Sequence, residues 1–237
     1  MAKLGVSQTT LREAMQTLAA KGMIAARARV GTKILDESHW NMFDAELLAW
    51  RLEIGIPPAV LGMLMEIRQS LEPLAAALAA NRRNAQDIRS LRALTQHMKA
   101  DLRHSSAFVE ADVAFHRQVL EVSGNPFMFS LAALISTALA ASFLLSAPDR
   151  DPELAIRVCL QHEDIVDAIE AGDPSRASHA MMTVIAQGWL NVGGAVPHRI
   201  AELDLFRFSM PNVKPGRGAR KAMRGLAPFG GKTPARE

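Results

Sequence analysis

Asp112 and His116 stand four residues apart in the stretch VEADVAFHRQVLEVSGNP, residues 109–126. Val109, Asp112, Val113, His116, Val119, Leu120 and Ser123 recur at three- and four-residue steps, which is one face of a helix. A carboxylate and an imidazole one turn apart point the same way, close enough to share one cation. His162 occupies the same kind of position, central on the stripe Val158, His162, Ile165, Val166, Ile169. A lone histidine on an apolar stripe is usually a hydrogen-bonded core residue. A carboxylate with two imidazoles, however, is a common ligand set for Zn²⁺ and other divalent metals. Arg68 sits in the middle of a third stripe, Leu61, Leu64, Met65, Arg68, Leu71, Ala75, Leu78. A buried guanidinium needs a partner. Glu72 one turn later can supply it, or a ligand carboxylate gripped bidentately can; the residues alone favour the Glu72 pair. His39, His97, His104, His179 and His198 fall in loops, at helix ends or off the stripes and read as surface residues.

The elements that must position these groups are helices. The 237-residue chain is 49% hydrophobic but only 5% aromatic, with no Tyr, and is rich in Ala, Leu and Met, so it is mainly α. From Asp44 onward the periodicity predicts seven helical segments: Asp44–Leu52, Pro58–Asn81, Ala85–Ala100, Ser105–Ser123, Pro126–Ser146, Pro152–Ala171 and Ser175–Asn191. Pro at or near several starts, and Gly55, Gly124 and Gly172 at ends, punctuate them. Short connections imply an all-α antiparallel bundle over 44–192. A net charge of +3 does not by itself argue for nucleic acid. Cys159 is the single cysteine, which excludes an intrachain disulfide and favours a reducing compartment. Lys3, Arg12 and Glu13 interrupt any secretory signal, and no stretch reaches the ~18 uncharged apolar residues of a membrane helix. The expected location is the cytoplasm, without membrane contact.

Residues 1–35 have another character. Ser7 is a good N-cap, and Thr10, Leu11, Ala14, Met15 and Leu18 predict a helix ending near Gly22. Met23–Arg27 and Thr32–Leu35 read as two short strands joined through Arg29, Val30 and Gly31. This is the order of a partial winged helix-turn-helix. Ser7, Gln8, Thr9, Thr10 and Arg12 crowd the start of the helix, where hydroxyls and helix amides suit phosphates and Gln8 and Arg12 suit base edges. Composition alone leaves an ordinary capped helix and hairpin equally open.

The motif GVSQTTLREAMQTLAAKGMI resembles the core of the GntR-type winged helix in its FadR-like form. That resemblance implies operator contacts from Ser7, Thr9, Thr10 and Arg12, with Gly31 at the wing tip. It also implies a head truncated at its N-terminus, since the first helix and most of the second would lie before Met1. Many relatives carry Arg where this chain has Gln8. The bundle is similar to the FCD-type sensor domain of the same regulators. The likeness rests on D-x-x-x-H with S-G-N-P from Asp112 to Pro126, on QHEDIVDAI around His162, and on Glu66, Arg68, Glu72 and Pro73. It implies a divalent metal, Zn by preference, on Asp112, His116 and His162, and a small carboxylate effector engaged by Arg68. A further His is usual in the last helix; here Val184 stands in its place, which leaves three protein ligands. The segment WNMFDAELLAWRLEIG is similar to that of repressors of sugar-acid operons of the galactonate type, which points to a polyhydroxylated acid.

The expectation is therefore a DNA-binding repressor, acting as a homodimer on operator DNA and responding to a sugar acid. The alternatives are a helical metal-dependent hydrolase, or a degenerate sensor-domain dimer whose head no longer reads DNA. Residues 1–35 form the head, 36–43 a polar linker with Trp40 as anchor, 44–192 the bundle and 193–237 a basic disordered tail.

Overall fold

The computed structural model describes residues 5–27, 31–100, 105–146 and 152–193. The chain divides into two units, Met1–Val196 and Pro197–Glu237, and every described residue lies in the first. The tail expected over 193–237 thus lies outside the described residues, apart from Gly193.

Helix α1 spans Gln8–Ala20 and starts where Ser7 Oγ accepts from the Thr10 backbone N–H. Strands β1 (Ile24–Arg27) and β2 (Gly31–Ile34) pair antiparallel, Ile24 opposite Ile34 and Arg27 opposite Gly31. The expected linker contains one 3₁₀ turn, Glu37–His39. Asp44 is the N-cap of α2 (Ala45–Glu53) rather than its first residue, accepting from Leu47 N–H. The bundle continues with α3 (Pro58–Arg82), α4 (Ala85–Ala100), α5 (Ser105–Val122), α6 (Pro126–Phe129), α7 (Ala132–Ser146), α8 (Pro152–Ala171) and α9 (Pro174–Asn191).

One expected helix is two. The span predicted as Pro126–Ser146 breaks after Phe129. Ser130 N–H and Ser130 Oγ both donate to the Pro126 carbonyl, and Leu131 N–H reaches back only three residues to Met128. A serine that competes for the helix carbonyls tightens that turn and redirects the chain without Gly or Pro.

Helix α3 is the axis of the bundle and lies against α5, α7, α8 and α9. Its Ala75, Ala76, Ala79 and Ala80 are buried, and such small side chains let neighbouring helices come close. At its C-terminal end two consecutive arginines hold two other helices. Arg82 Nη1 donates to the Ser123 carbonyl just past α5 at 2.5 Å, and Arg83 Nη2 donates to the Glu170 carbonyl near the end of α8 at 3.0 Å. Gly124 (φ 64°) and Gly172 (φ 71°) turn the chain beside these arginines. A side chain at Gly172 would stand 2.7 Å from Arg83 Nη2.

A polar neck joins head and bundle. Lys21, at the end of α1, is buried; its Nζ lies 2.6 Å from Asp44 Oδ1 and 2.8 Å from Glu46 Oε2, over the Trp50 ring. The Lys21 carbonyl accepts from Asn41 N–H at 2.8 Å. Trp40 Nε1 donates to the Leu35 carbonyl, as its expected role as anchor requires, and Arg51 bridges Glu37 and the Trp40 ring. Among the described residues no helix is long and apolar enough to cross a membrane.

Candidate metal and effector site

Helix α5 places Asp112 and His116 on the face it turns to the core, and α8 brings His162 to meet them. Asp112, His116 and His162 are all buried, at 3%, 1% and 0% exposure. Their facing ligand atoms all lie within 4.8 Å of one another. His162 Nε2 is 2.9 Å from Asp112 Oδ1 and 3.4 Å from His116 Nε2; His116 Nε2 is 3.8 Å from Asp112 Oδ1. A triangle with those sides has its centre about 2 Å from each corner, the usual bond length of a divalent first-row ion to N and O ligands.

The second contacts of both imidazoles fix which nitrogens face inward. His116 Nδ1–H donates to Glu72 Oε2, and His162 Nδ1–H donates to the Val158 carbonyl at 2.7 Å. With Nδ1 of each ring so engaged, each Nε2 turns toward the other and toward the Asp112 carboxylate. Such converging acceptors repel unless a proton or a metal lies among them, and Nδ1 anchored to a carboxylate or carbonyl is the usual support of a metal-ligating histidine. Phe115 wedges edge-on against both rings, 4.9 Å from His162 and 5.8 Å from His116 between centroids.

Arg68 completes the cluster. Its Nε donates to Glu72 Oε1 at 2.5 Å, so the structural pair favoured from the residues alone is formed. Nη2 reaches Glu72 Oε2 and His116 Nε2, each at 3.5 Å, and Arg68 also borders the cavity described next. Burial alone would raise the Glu72 carboxyl; the Arg68 charge, then the charge and hydrogen bond of His116, outweigh it and hold Glu72 at about 2. Burial likewise works to raise Asp112, and the hydrogen bond from His162, with the His116, His162 and Arg68 charges, brings it below its ordinary value.

Arg68, Asp112, His116 and His162 line one cavity of about 60 Å³, several times the ~10–15 Å³ that holds one water. All four groups singled out from the sequence therefore converge. Val184 of α9 borders the same cavity. Sequence reasoning missed Ser142, Gln161 and Asn191, which line it as well. Gln161 is only half buried and directly precedes His162, and Ser142 lies on the nearly uniformly apolar α7, so neither gives a periodic signal. His39, His97 and His179 are exposed, as expected, whereas His104 and His198 lie outside the described residues.

In the head, Ser7, Gln8, Thr9, Thr10, Arg12 and Gly31 are all exposed. Ser7 and Thr10 are tied to each other at the cap, and Gln8 and Arg12 border a groove between α1 and the hairpin. Gly31 opens β2 at φ 95°. Arg29 and Val30 of the wing lie outside the described residues.

A helix–hairpin head on an all-helical bundle with a charged internal cavity defines a class: transcription regulators with a helical effector-type domain. Residues 63–187 match the FCD domain family, and residues 1–34 match the family of bacterial regulatory proteins called gntR. A protein of Escherichia coli K12 described as an uncharacterized HTH-type transcriptional regulator, YieP, is 34% identical over 185 residues, covering 77% of this chain and 78% of its own. The galactonate operon transcriptional repressor of the same organism is 28% identical over 184 residues, covering 78% and 80%. Among solved structures, Streptococcus agalactiae GntR shares the fold with a TM-score of 0.51 at 24% identity, covering 81% of this chain and 85% of its own. E. coli McbR/YncC does so with 0.56 at 15%, covering 81% and 82%.

The chain belongs to the GntR family and carries an FCD domain. It is a DNA-binding transcription regulator, not an enzyme, so the hydrolase alternative falls.

Proposed function

We propose that this protein is a cytoplasmic repressor whose bundle binds a divalent metal, Zn²⁺ by preference, together with a small carboxylate metabolite. Asp112, His116 and His162 hold the metal, and Arg68 helps to hold the carboxylate. The observation that carries this reading is the charge of the buried cluster. Arg68 is countered by Glu72, each imidazole holds Nδ1 against an acceptor and turns Nε2 toward Asp112, and with both rings neutral, as metal ligands are, Asp112 is one uncompensated anion. A divalent cation turns that single negative charge into a single positive one, which one monocarboxylate then neutralises. Buried charge is tolerated when it is balanced in this way. With Val184 in place of a fourth protein ligand, open coordination positions face the cavity.

Among the relatives, the galactonate operon repressor supports a sugar acid as the metabolite. In this reading Ser7, Gln8, Thr9, Thr10, Arg12 and Gly31 contact operator DNA, residues 1–35 act as head, 36–43 as linker and 44–192 as sensor, and two copies pair so that two α1 helices meet two half-sites. Binding the effector shifts the balance between two arrangements of the bundle and so changes operator affinity.

Melting of chelator-treated protein with and without Zn²⁺ tests the metal. At about 100 times Kd, Zn²⁺ stabilises by roughly 2.7 kcal/mol, and Asp112→Ala removes the shift. Band shifts with operator DNA then show whether D-galactonate changes affinity in the metal-loaded protein. A wild type that melts identically with Zn²⁺ and with chelator would sink the metal; effector-insensitive DNA binding would sink the sensor.

A further inference from the structure

We infer that Gln161 is a specificity residue that selects effectors carrying a hydroxyl donor near the carboxylate; this rests on the carboxylate-effector reading above. Gln161 sits on α8 directly before His162 and borders the same cavity as Arg68 and the Asp112–His116–His162 cluster. Its Oε1 is fully buried and has no hydrogen-bond partner in the protein. A buried acceptor without a donor costs free energy, and native structures keep such an atom where something else supplies the proton.

The polar neighbours around the cavity make their bonds to other groups, not to Gln161 Oε1. The Ser142 hydroxyl donates to the Ala138 carbonyl at 2.8 Å. Asn191 is tied through Oδ1 to Gln187 Nε2 at 2.9 Å. The Arg68 Nε–H belongs to Glu72. None of these groups reaches Gln161 Oε1, so a donor on the ligand can supply the missing bond. A carboxylate has none to give; a hydroxyl on the carbon chain beside it does.

Gln161 also borders a second, outer groove between α8 and α9, lined by Asp164, Arg176, His179 and Thr183. Gln161 thus borders both the charged cavity and a polar surface channel. An acid whose carboxylate lies at the cluster and whose first hydroxyl meets Gln161 would run on along groups that suit further hydroxyls. An unsubstituted fatty chain would bury apolar carbon against that polar channel and leave Oε1 unpaired, which is how a site built to hydrogen-bond a hydroxyl rejects the analogue lacking it.

The test is calorimetric titration of the full chain, metal-loaded, with D-galactonate and with hexanoate, which has the same carbon count and no hydroxyl. The wild type binds galactonate at least about tenfold more tightly. Gln161→Met weakens galactonate about tenfold and leaves hexanoate within about twofold. Ligand-free Gln161→Met melts no lower than the wild type, because no internal bond is lost. Gln69→Met serves as control: Gln69 Oε1 is also buried and unpaired but does not border the cavity, so its loss leaves the ratio of the two affinities unchanged. An unchanged ratio in Gln161→Met overturns the inference, as does a lower melting temperature of that ligand-free variant. If neither acid binds the wild type, the carboxylate reading itself fails and the inference fails with it; if both bind equally well, only the role of Gln161 falls.

Discussion

Helix α1 of the head buries none of its 13 residues, whereas α3 of the bundle buries 12 of its 25. The two regions are therefore held by different physics. The bundle is fixed by close-packed apolar surface with one charged cluster sealed inside it, so a fault there is felt as buried charge. The head is posed from outside, by its cap at Ser7 and by the neck at Lys21, Gly22 and Trp40.

The strongest blow to that contrast is Glu72→Ala. It leaves Arg68 buried without its carboxylate, and removing one partner of a buried pair costs about 3–5 kcal/mol. Urea unfolding followed by helical circular dichroism should show that loss; a variant as stable as the wild type would mean that the bundle tolerates an open charge after all. Gly22→Ala attacks the head instead. Gly22 has φ 75°, and a Cβ there would stand 2.1 Å from the His39 carbonyl oxygen, so the neck must shift at a cost of about 1–3 kcal/mol. Operator affinity should fall in band shifts while Zn²⁺ affinity of the bundle stays the same; equal loss of both would erase the distinction.

The smallest effect is on pH. The hydrogen bond from Lys21, then that from Leu47 N–H, holds Asp44 below its ordinary 3.8. A carboxyl lowered in the folded state stabilises it above the ordinary value and loses that contribution as pH falls through the folded one. Lys21 stays charged throughout. The bundle's Glu72, at about 2, keeps its charge deeper into acid. In a Trp189→Phe variant, Trp40 and Trp50 report the neck, and their fluorescence should change below pH 3.8 while the helical signal persists. Asp44→Asn should remove that early step; an unaltered acid titration in it would show that another group governs the neck.

Much of the site was legible because it violates its surroundings. Asp112, His116, His162 and Arg68 are polar groups on stripes that are otherwise apolar, and a 3.6-residue period places each on a known face. Helix limits were readable where Pro or Gly marks them, as at Pro58, Gly124 and Gly172. The break between α6 and α7 was not, because a serine bonded back to Pro126 leaves no such mark. Lys21, Asp44 and Glu46 also escaped: three charged residues around a linker look like solvated surface until the fold brings them to 2.6 and 2.8 Å. Gln161 gave no signal, since its neighbour His162 occupies the inward position and an unpaired amide oxygen has no sequence signature.

The adjacent arginines at the end of α3 have a mechanical consequence. Arg82 and Arg83 grip the chain just past α5 and the last turn of α8, the two helices that carry Asp112, His116 and His162, from the same short piece of backbone. Two rods pinned together at one tip can only scissor. Any widening between Asp112 and His162 must grow with distance from that pin, so a small spread at the ligand level becomes a larger swing at the far ends of the two rods.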